Sequence, residues 1–177
     1  MTSNPHSLTQ LTTPTANLIA GLDPGPDPRD HTFEMRFTST PRGARLARRL
    51  AALRLDAWGI PYDTDAHDAI VLIVAELTVN AVLHGHVSGR DFHLRVHVAR
   101  RSGTVRVGVT DTRSERLPPR PGVARPVPCA EEGGRGLLLV AHLAARWDWH
   151  LRTDGPGKTI WAEYELPGSD HAREGVR

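Results

Sequence analysis

One segment, residues 63–85, constrains the fold of this chain more than any other. Its residues are apolar on nearly every side of a helix, Asp63 or Thr64 can cap the start, and Gly85 can end it. A helix without a polar side has to be surrounded by other elements. The segment therefore predicts a buried central helix with further secondary structure packed around it.

Shorter patterned segments flank this helix. Helical spacing predicts two more helices, over residues 41–59, capped by Ser39 or Thr40, and over residues 136–145. Alternation of apolar and polar residues with a period of two predicts five strands, over residues 32–38, 92–99, 104–109, 146–152 and 159–166. This order predicts an α+β fold, a two-layer α/β sandwich in which helices cover one face of a mixed, mostly antiparallel sheet.

The patterned region, residues 31–167, predicts one domain, because 177 residues are within the range of a single hydrophobic core. Residues 1–30 are rich in proline and carry no periodicity, which predicts a disordered leader. Residues 168–177 are polar and unpatterned, and we expect a flexible tail there.

Charge and hydropathy exclude several classes of function. The formal net charge of +2 does not favour direct nucleic-acid binding. No run of about 18 consecutive apolar residues is present, so no membrane association is expected. A single cysteine, Cys129, cannot form an intramolecular disulfide and fits a reducing compartment. We therefore expect a cytoplasmic protein.

Three polar residues interrupt the apolar central helix at intervals of four: Glu76, Asn80 and His84. This spacing brings their side chains to neighbouring positions on one side of the helix. Burying a carboxylate or an amide without a partner costs several kcal/mol, of the order of 2–7 kcal/mol, so both groups need a hydrogen bond or an ion. The helix alone leaves two interpretations open, namely that loop backbone satisfies them or that a ligand does.

A glycine cluster, Gly133-Gly134-Arg135-Gly136-Leu137, opens the last predicted helix. Glycines let the backbone approach phosphate oxygens, and free N–H groups of a first helical turn favour an anion. By itself such a cluster more often forms an ordinary turn. Between it and Asp111 lies a proline-rich stretch, residues 112–132, and loops of that length are usually functional or disordered.

The run Glu76-Leu77-Thr78-Val79-Asn80-Ala81, continued by His84-Gly85, resembles the N-box of the gyrase/histidine-kinase-like (GHKL) ATP-binding domains. The run from Gly133 to Leu137 resembles their second glycine box. The similarity extends over residues 31–166 and is greatest to the small, single-domain branch that contains the anti-sigma-factor serine kinases. The resemblance implies a GHKL-like fold and binding of ATP and Mg²⁺.

The resemblance also implies roles for individual residues. Asn80 would coordinate Mg²⁺, Glu76 would be the general base, and His84 would lie beside the nucleotide. Asp111 would accept a hydrogen bond from the adenine amino group, with the Thr159 hydroxyl supporting that contact. The glycine-box residues would contact the phosphates: Gly133, Gly134, Arg135, Gly136 and Leu137.

As a function, the resemblance implies a protein serine/threonine kinase that binds a sigma factor or similar partner and phosphorylates a serine on an antagonist protein. The chain departs from the family after Asp111, since no glycine follows until Gly122. This departure favours an alternative, a nucleotide-gated protein-binding module without phosphotransfer. The arginine-rich side of the first helix is either a solvated face or a homodimer interface.

Overall fold

A computed structural model describes residues 27–121 and 135–168 of the chain. Residues 1–26 of the predicted leader, residues 169–177 of the predicted tail and residues 122–132 of the proline-rich stretch lie outside this part, as do Gly133 and Gly134. Within it, the helices are α1 Pro41–Ala57, α2 Asp65–His84 and α3 Arg135–Leu143. The strands are β1 His31–Thr38, β2 Asp91–Ala99, β3 Thr104–Thr110, β4 Arg146–Leu151 and β5 Lys158–Glu165.

The five strands form one sheet in the order β1-β2-β3-β5-β4. Every pairing among them is antiparallel, and one row of the register runs Phe33, Val96, Val107, Ala162 and Trp147. All five side chains of that row are buried. The expected α+β sandwich with a mostly antiparallel sheet is therefore confirmed.

The helices cover one face of the sheet. Since successive strand residues point to opposite faces, every second residue of a strand packs against the helices. Buried apolar residues of the strands form the core with α1 and α2, and aliphatic residues dominate it. The opposite face is polar. There the buried Glu163 carboxylate bonds to Arg106 and Arg146, and the Arg106 guanidinium lies 3.8 Å from the centre of the Trp161 ring.

Helix α1 begins where its sequence provides a cap. The Thr40 hydroxyl accepts a hydrogen bond from the Gly43 backbone N–H, and Pro41 occupies the first turn, where its missing N–H costs nothing. The arginines of its outer side, Arg42, Arg45, Arg48, Arg49 and Arg54, are all exposed. Small residues such as Ala47 and Ala51 on the inner side allow close packing on the sheet and on α2.

Helix α2 is the central element of the helical layer, in contact with α1, α3 and the sheet. Thr64 caps it by accepting from the His67 N–H, and Gly85 follows its last residue, as expected from the sequence. The prediction that the whole helix is buried is wrong. Its outer side leaves Leu72, Val79 and Leu83 exposed, because the α1, α3 and sheet contacts do not enclose the helix completely.

By length and hydropathy α2 could cross a membrane, since its mean hydropathy reaches 1.7, but half of that window is buried inside the fold. Its apolar composition is therefore accounted for mainly by packing in the core.

Candidate functional site

The start of α3 lies against the polar side of α2. A Cβ atom placed on Gly136 would come within 2.5 Å of Glu76 Oε2 and 3.7 Å of Asn80 Nδ2. A side chain at position 136 would therefore push the Glu76 carboxylate aside, and glycine allows this close approach. The structure thus brings together three of the residues singled out from the sequence: Glu76, Asn80 and Gly136.

The Asn80 side chain is buried with an unused donor. The residue is 8% exposed, and its Nδ2 has no hydrogen-bond partner within residues 27–121 and 135–168. Leaving such a group unpaired costs about 1–3 kcal/mol. In the described region, loop backbone does not satisfy this amide, which favours the other interpretation, a ligand.

Two further residues of the predicted set, Arg135 and Leu137, lie near the start of α3. Arg135 begins the helix, and only its backbone position is described. Leu137 packs against the hydrophobic core rather than outward, which holds the helix start in place. Gly133 and Gly134 belong to the part that is not described, so their expected phosphate contacts stay predictions.

Asp111 follows β3 directly and is buried, with 4% of its surface exposed. Oδ1 accepts a hydrogen bond of 3.0 Å from the Arg113 backbone N–H. Two glycines hold the residue tightly: a Cβ on Gly85 would lie 2.3 Å from Oδ2, and one on Gly157 would lie 2.0 Å from the Asp111 carbonyl oxygen. Gly157 also has a φ of +115°, a conformation that side chains disfavour. The carboxylate is therefore held in one position at the C-terminal end of α2.

Lys158 makes the second contact to this carboxylate. Its Nζ lies 2.8 Å from Asp111 Oδ2 and donates to the Arg113 carbonyl oxygen at 3.0 Å. The side chain is 2% exposed, so the pair is almost fully removed from water. Sequence reasoning missed this residue, although Lys158 is the only lysine in the chain.

Strand periodicity could have identified Lys158. It shares the parity of Ile160 and Ala162, whose side chains face the helices. Thr159 has the opposite parity, and its hydroxyl lies 2.8 Å from the Thr110 hydroxyl on the uncovered face of the sheet. The structure therefore does not bring the Thr159 hydroxyl to the Asp111 carboxylate, because neighbouring strand residues point to opposite faces.

His84, at the end of α2, is half-buried. Burial lowers the pKa of its imidazole, and the positive charges of Arg116 and Lys158 lower it further. The ring therefore stays neutral near pH 7. In the described region no group of three or more histidine, cysteine or acidic side chains is arranged to hold a metal ion.

The site has two ends joined by the last turns of α2. Glu76, Asn80 and the start of α3 form one end, with a carboxylate, an amide and helix N–H groups. Asp111, beside Gly85, forms the other. Glu76 and Gly85 are nine positions apart along α2 and its cap, which corresponds to a rise of about 13 Å, a span suited to an elongated ligand.

Comparison with known proteins gives two similarities. Residues 37–164 match the family model described as histidine kinase-like ATPase domain. The fold is similar to the crystal structure of the RsbU and RsbW domains of Rv1364c from Mycobacterium tuberculosis, with a TM-score of 0.57 and 20% sequence identity. The aligned region covers 77% of this chain but only 32% of that one. No curated protein matches the sequence.

Proposed function

The chain belongs to the histidine kinase-like ATPase domain family, and we propose that it binds Mg-ATP and transfers the γ-phosphate to a serine or threonine of a partner protein, as an anti-sigma-factor-type kinase. One observation carries the proposal. The Glu76 carboxylate and the unpaired, buried Asn80 amide lie together against the start of α3. A family member that only held a nucleotide would not need a carboxylate at that position.

Asn80 fits a role as a Mg²⁺ ligand. Rotation of the amide by 180° exchanges its oxygen and nitrogen, so the unpaired position can present the oxygen, a hard ligand. Magnesium usually takes only one or two protein ligands and completes its shell with phosphate oxygens and water, so no acidic cluster is required. The ion would supply neutralisation of the phosphate charge.

Glu76 is proposed as the general base. The hydroxyl oxygen of the acceptor serine forms a bond to the γ-phosphorus while the bond from that phosphorus to the β,γ-bridging oxygen breaks. The hydroxyl proton goes to the Glu76 carboxylate, and ADP leaves with the bridging oxygen. The carboxylate lies at the start of α3, where the backbone of Gly136 and Leu137 can orient the phosphates.

The remaining predicted contacts complete the proposal. Gly133, Gly134 and Arg135 would extend the phosphate cradle on the N-terminal side of Gly136. At the other end, Asp111 would accept a hydrogen bond from the adenine amino group, with the neutral His84 ring beside it. The close approach of Gly85 to Asp111 supports this assignment, since it holds the acceptor fixed next to the helix that carries Asn80.

The protein partner is proposed to be a sigma factor or an antagonist of an anti-sigma factor. The fold similarity to a structure that contains an RsbW domain supports this class. On α1 and α2, exposed Leu46, Leu53 and Leu83 lie among exposed arginines, a combination that suits an acidic segment of such a partner. A homodimer and a cytoplasmic location stay predictions.

The test uses purified protein, γ-labelled ATP, Mg²⁺ and a candidate antagonist. Glu76→Gln should retain Mg-ATP binding by calorimetry and lose label transfer, because only the base is removed. Glu165→Gln, an exposed carboxylate at the end of β5, is the matched control and should transfer label normally. Full transfer by Glu76→Gln would refute the assignment of the base.

A nucleotide-gated binding module without phosphotransfer is the alternative. The engagement of the Asp111 carboxylate by Lys158, together with the lack of glycine between positions 111 and 122, favours it. In that case the partner complex would form or dissociate with ATP while no label reached the partner. Label on a serine of the partner would exclude this alternative.

A further inference from the structure

The two edge strands of the sheet, β1 and β4, differ in how their backbone groups are covered. On β4 the Trp149 N–H donates to Asp148 Oδ1 at 2.8 Å, and the Trp149 carbonyl oxygen accepts from Arg120 Nη1 at 2.9 Å. Along residues 31–37 of β1, no backbone group bonds to a described residue outside the ladder with β2. The outer edge of β1 is therefore open to a further strand.

Strand β1 also lacks several features that keep edge strands from pairing with another chain. It is eight residues long, contains no proline and pairs with β2 in an unbroken register without a bulge. Met35 has the parity of the buried Phe33 and Phe37, yet 43% of its surface is exposed. A strand added at this edge would cover that apolar side chain.

The sequence of β1 is symmetric about Met35. Residues 32–38 read TFEMRFT, so that reversing the direction changes only the order of Glu34 and Arg36. When two such strands pair antiparallel about a two-fold axis at Met35, each Glu34 lies opposite Arg36 of the other copy. Opposite charges directly across an antiparallel pair are favourable, whereas like charges are unfavourable. The strand is therefore complementary to a second copy of itself.

Both charged side chains are available for this pairing. Glu34 and Arg95 are 4.0 Å apart, and each is more than half exposed, so their contact is weak. Arg36 is exposed, and the nearby Asp154 is already paired with Arg152 at 2.9 Å. Neither Glu34 nor Arg36 has to give up a strong contact to meet the other copy.

We propose that two copies of this chain associate through the open edge of β1, with the two strands antiparallel and centred on Met35. The two five-stranded sheets then form one ten-stranded sheet. The two-fold axis is perpendicular to the sheet, so the helices of both copies cover the same face. The interface is a strand edge and not the arginine-rich side of α1, and it does not depend on the nucleotide site.

Sedimentation equilibrium of the full-length chain tests the association. One strand pairing buries less surface than a standard interface of about 1,600 Å², so we expect a dissociation constant of roughly micromolar size. Glu34→Arg places arginine opposite arginine at two positions of the dimer, and Arg36→Glu places glutamate opposite glutamate. Each single variant should weaken the dimer by about tenfold or more.

The double variant Glu34→Arg, Arg36→Glu restores opposite charges and should dimerise like the wild type. The single variants change the net charge in opposite directions, so net charge cannot explain weakening in both. Glu165→Arg is the matched control, because it makes the same charge change on β5, an interior strand, and should leave dimerisation unchanged. A monomeric wild-type protein at high micromolar concentration would overturn the inference, as would a dimer that both single variants leave intact.

Cysteine cross-linking tests the register in a Cys129→Ser background. Met35→Cys should form a disulfide-linked dimer on mild oxidation, because the two-fold axis places the two Cα atoms about 4.5–5.5 Å apart. Thr38→Cys is the control, since its two copies would lie about 20 Å apart in this register. A dimer that links through Thr38→Cys but not through Met35→Cys contradicts the proposed pairing.

Discussion

Replacing Gly85 by alanine tests the close contact between α2 and Asp111. The new methyl group would lie 2.3 Å from Asp111 Oδ2 and 2.4 Å from its Cβ and Cγ. The Cβ of Asp111 is attached directly to the backbone, so it cannot rotate out of the way. Lys158 and the Arg113 N–H hold the carboxylate on its other side. Either α2 or the end of β3 has to move.

The expected cost is the difference between two effects. Overpacking a tightly packed position typically costs about 1–3 kcal/mol. Against this, an alanine lowers the entropy of the unfolded chain relative to glycine, which stabilises by about 0.4–1 kcal/mol where the backbone conformation is allowed. Gly85 has a φ of −101°, which alanine adopts without strain. The free energy of unfolding should therefore fall by about 1–2 kcal/mol, and the Tm by about 3–6 °C.

Urea unfolding followed by circular dichroism measures this change. Gly108→Ala is the matched control, because its new methyl group would meet nothing closer than Thr159 Cγ2 at 3.8 Å and its φ is not positive. The control should unfold at the wild-type urea concentration or slightly above it. Equal stability of Gly85→Ala and Gly108→Ala would refute the tight packing of position 85 against Asp111.

Three further predictions concern single side chains. Asn80→Ala should leave the free energy of unfolding within about 1 kcal/mol of wild type, since removing the unpaired amide relieves its desolvation cost and offsets the lost packing, yet abolish Mg-dependent ATP binding by calorimetry. His84→Gln should reduce the loss of stability on acidification. Because the pKa of His84 is lowered in the folded state, that state binds fewer protons than the unfolded chain, and stability is lost as pH falls below about 6.5. Urea unfolding of both proteins at neutral and acidic pH measures the difference. Thr159→Val should lose the hydrogen bond to Thr110 and at most about 1 kcal/mol of stability, with an unchanged dissociation constant for Mg-ATP; weaker ATP binding would restore the role expected from the sequence.

Most of the fold was predictable because its local signals agree with its packing. Strand alternation set which residues face the helices, and the caps Thr40 and Thr64 begin α1 and α2 as their sequences indicate. The exposure of Val79 and Leu83 was not predictable in the same way. Hydrophobicity on every side of a helix does not reveal how many neighbours cover it, since that depends on how the other helices are arranged around it.

The site was predictable at one end and not at the other. Glu76 and Asn80 come together through helix periodicity alone, and Gly136 joins them as expected. At the other end, similarity of sequence motifs drew attention to Thr159, whereas the alternation of β5 assigns the inward position to Lys158. An error of one residue in a motif match assigns a side chain to the wrong face of a strand, so the alternation of the strand has to decide such positions.

The Asp111–Lys158 pair is better explained by positioning than by stability. Burying two charges costs so much desolvation energy that apolar residues of similar volume are often equally stabilising. Yet this pair lies where Gly85 and Gly157 each lack the side chain that would displace it, and where the Arg113 backbone bonds to both partners. Gly85, the Arg113 N–H and Lys158 thus fix the carboxylate in one orientation, while Gly157 packs against the backbone of Asp111. A group held that firmly acts as a preorganised acceptor, since binding a ligand there requires little rearrangement.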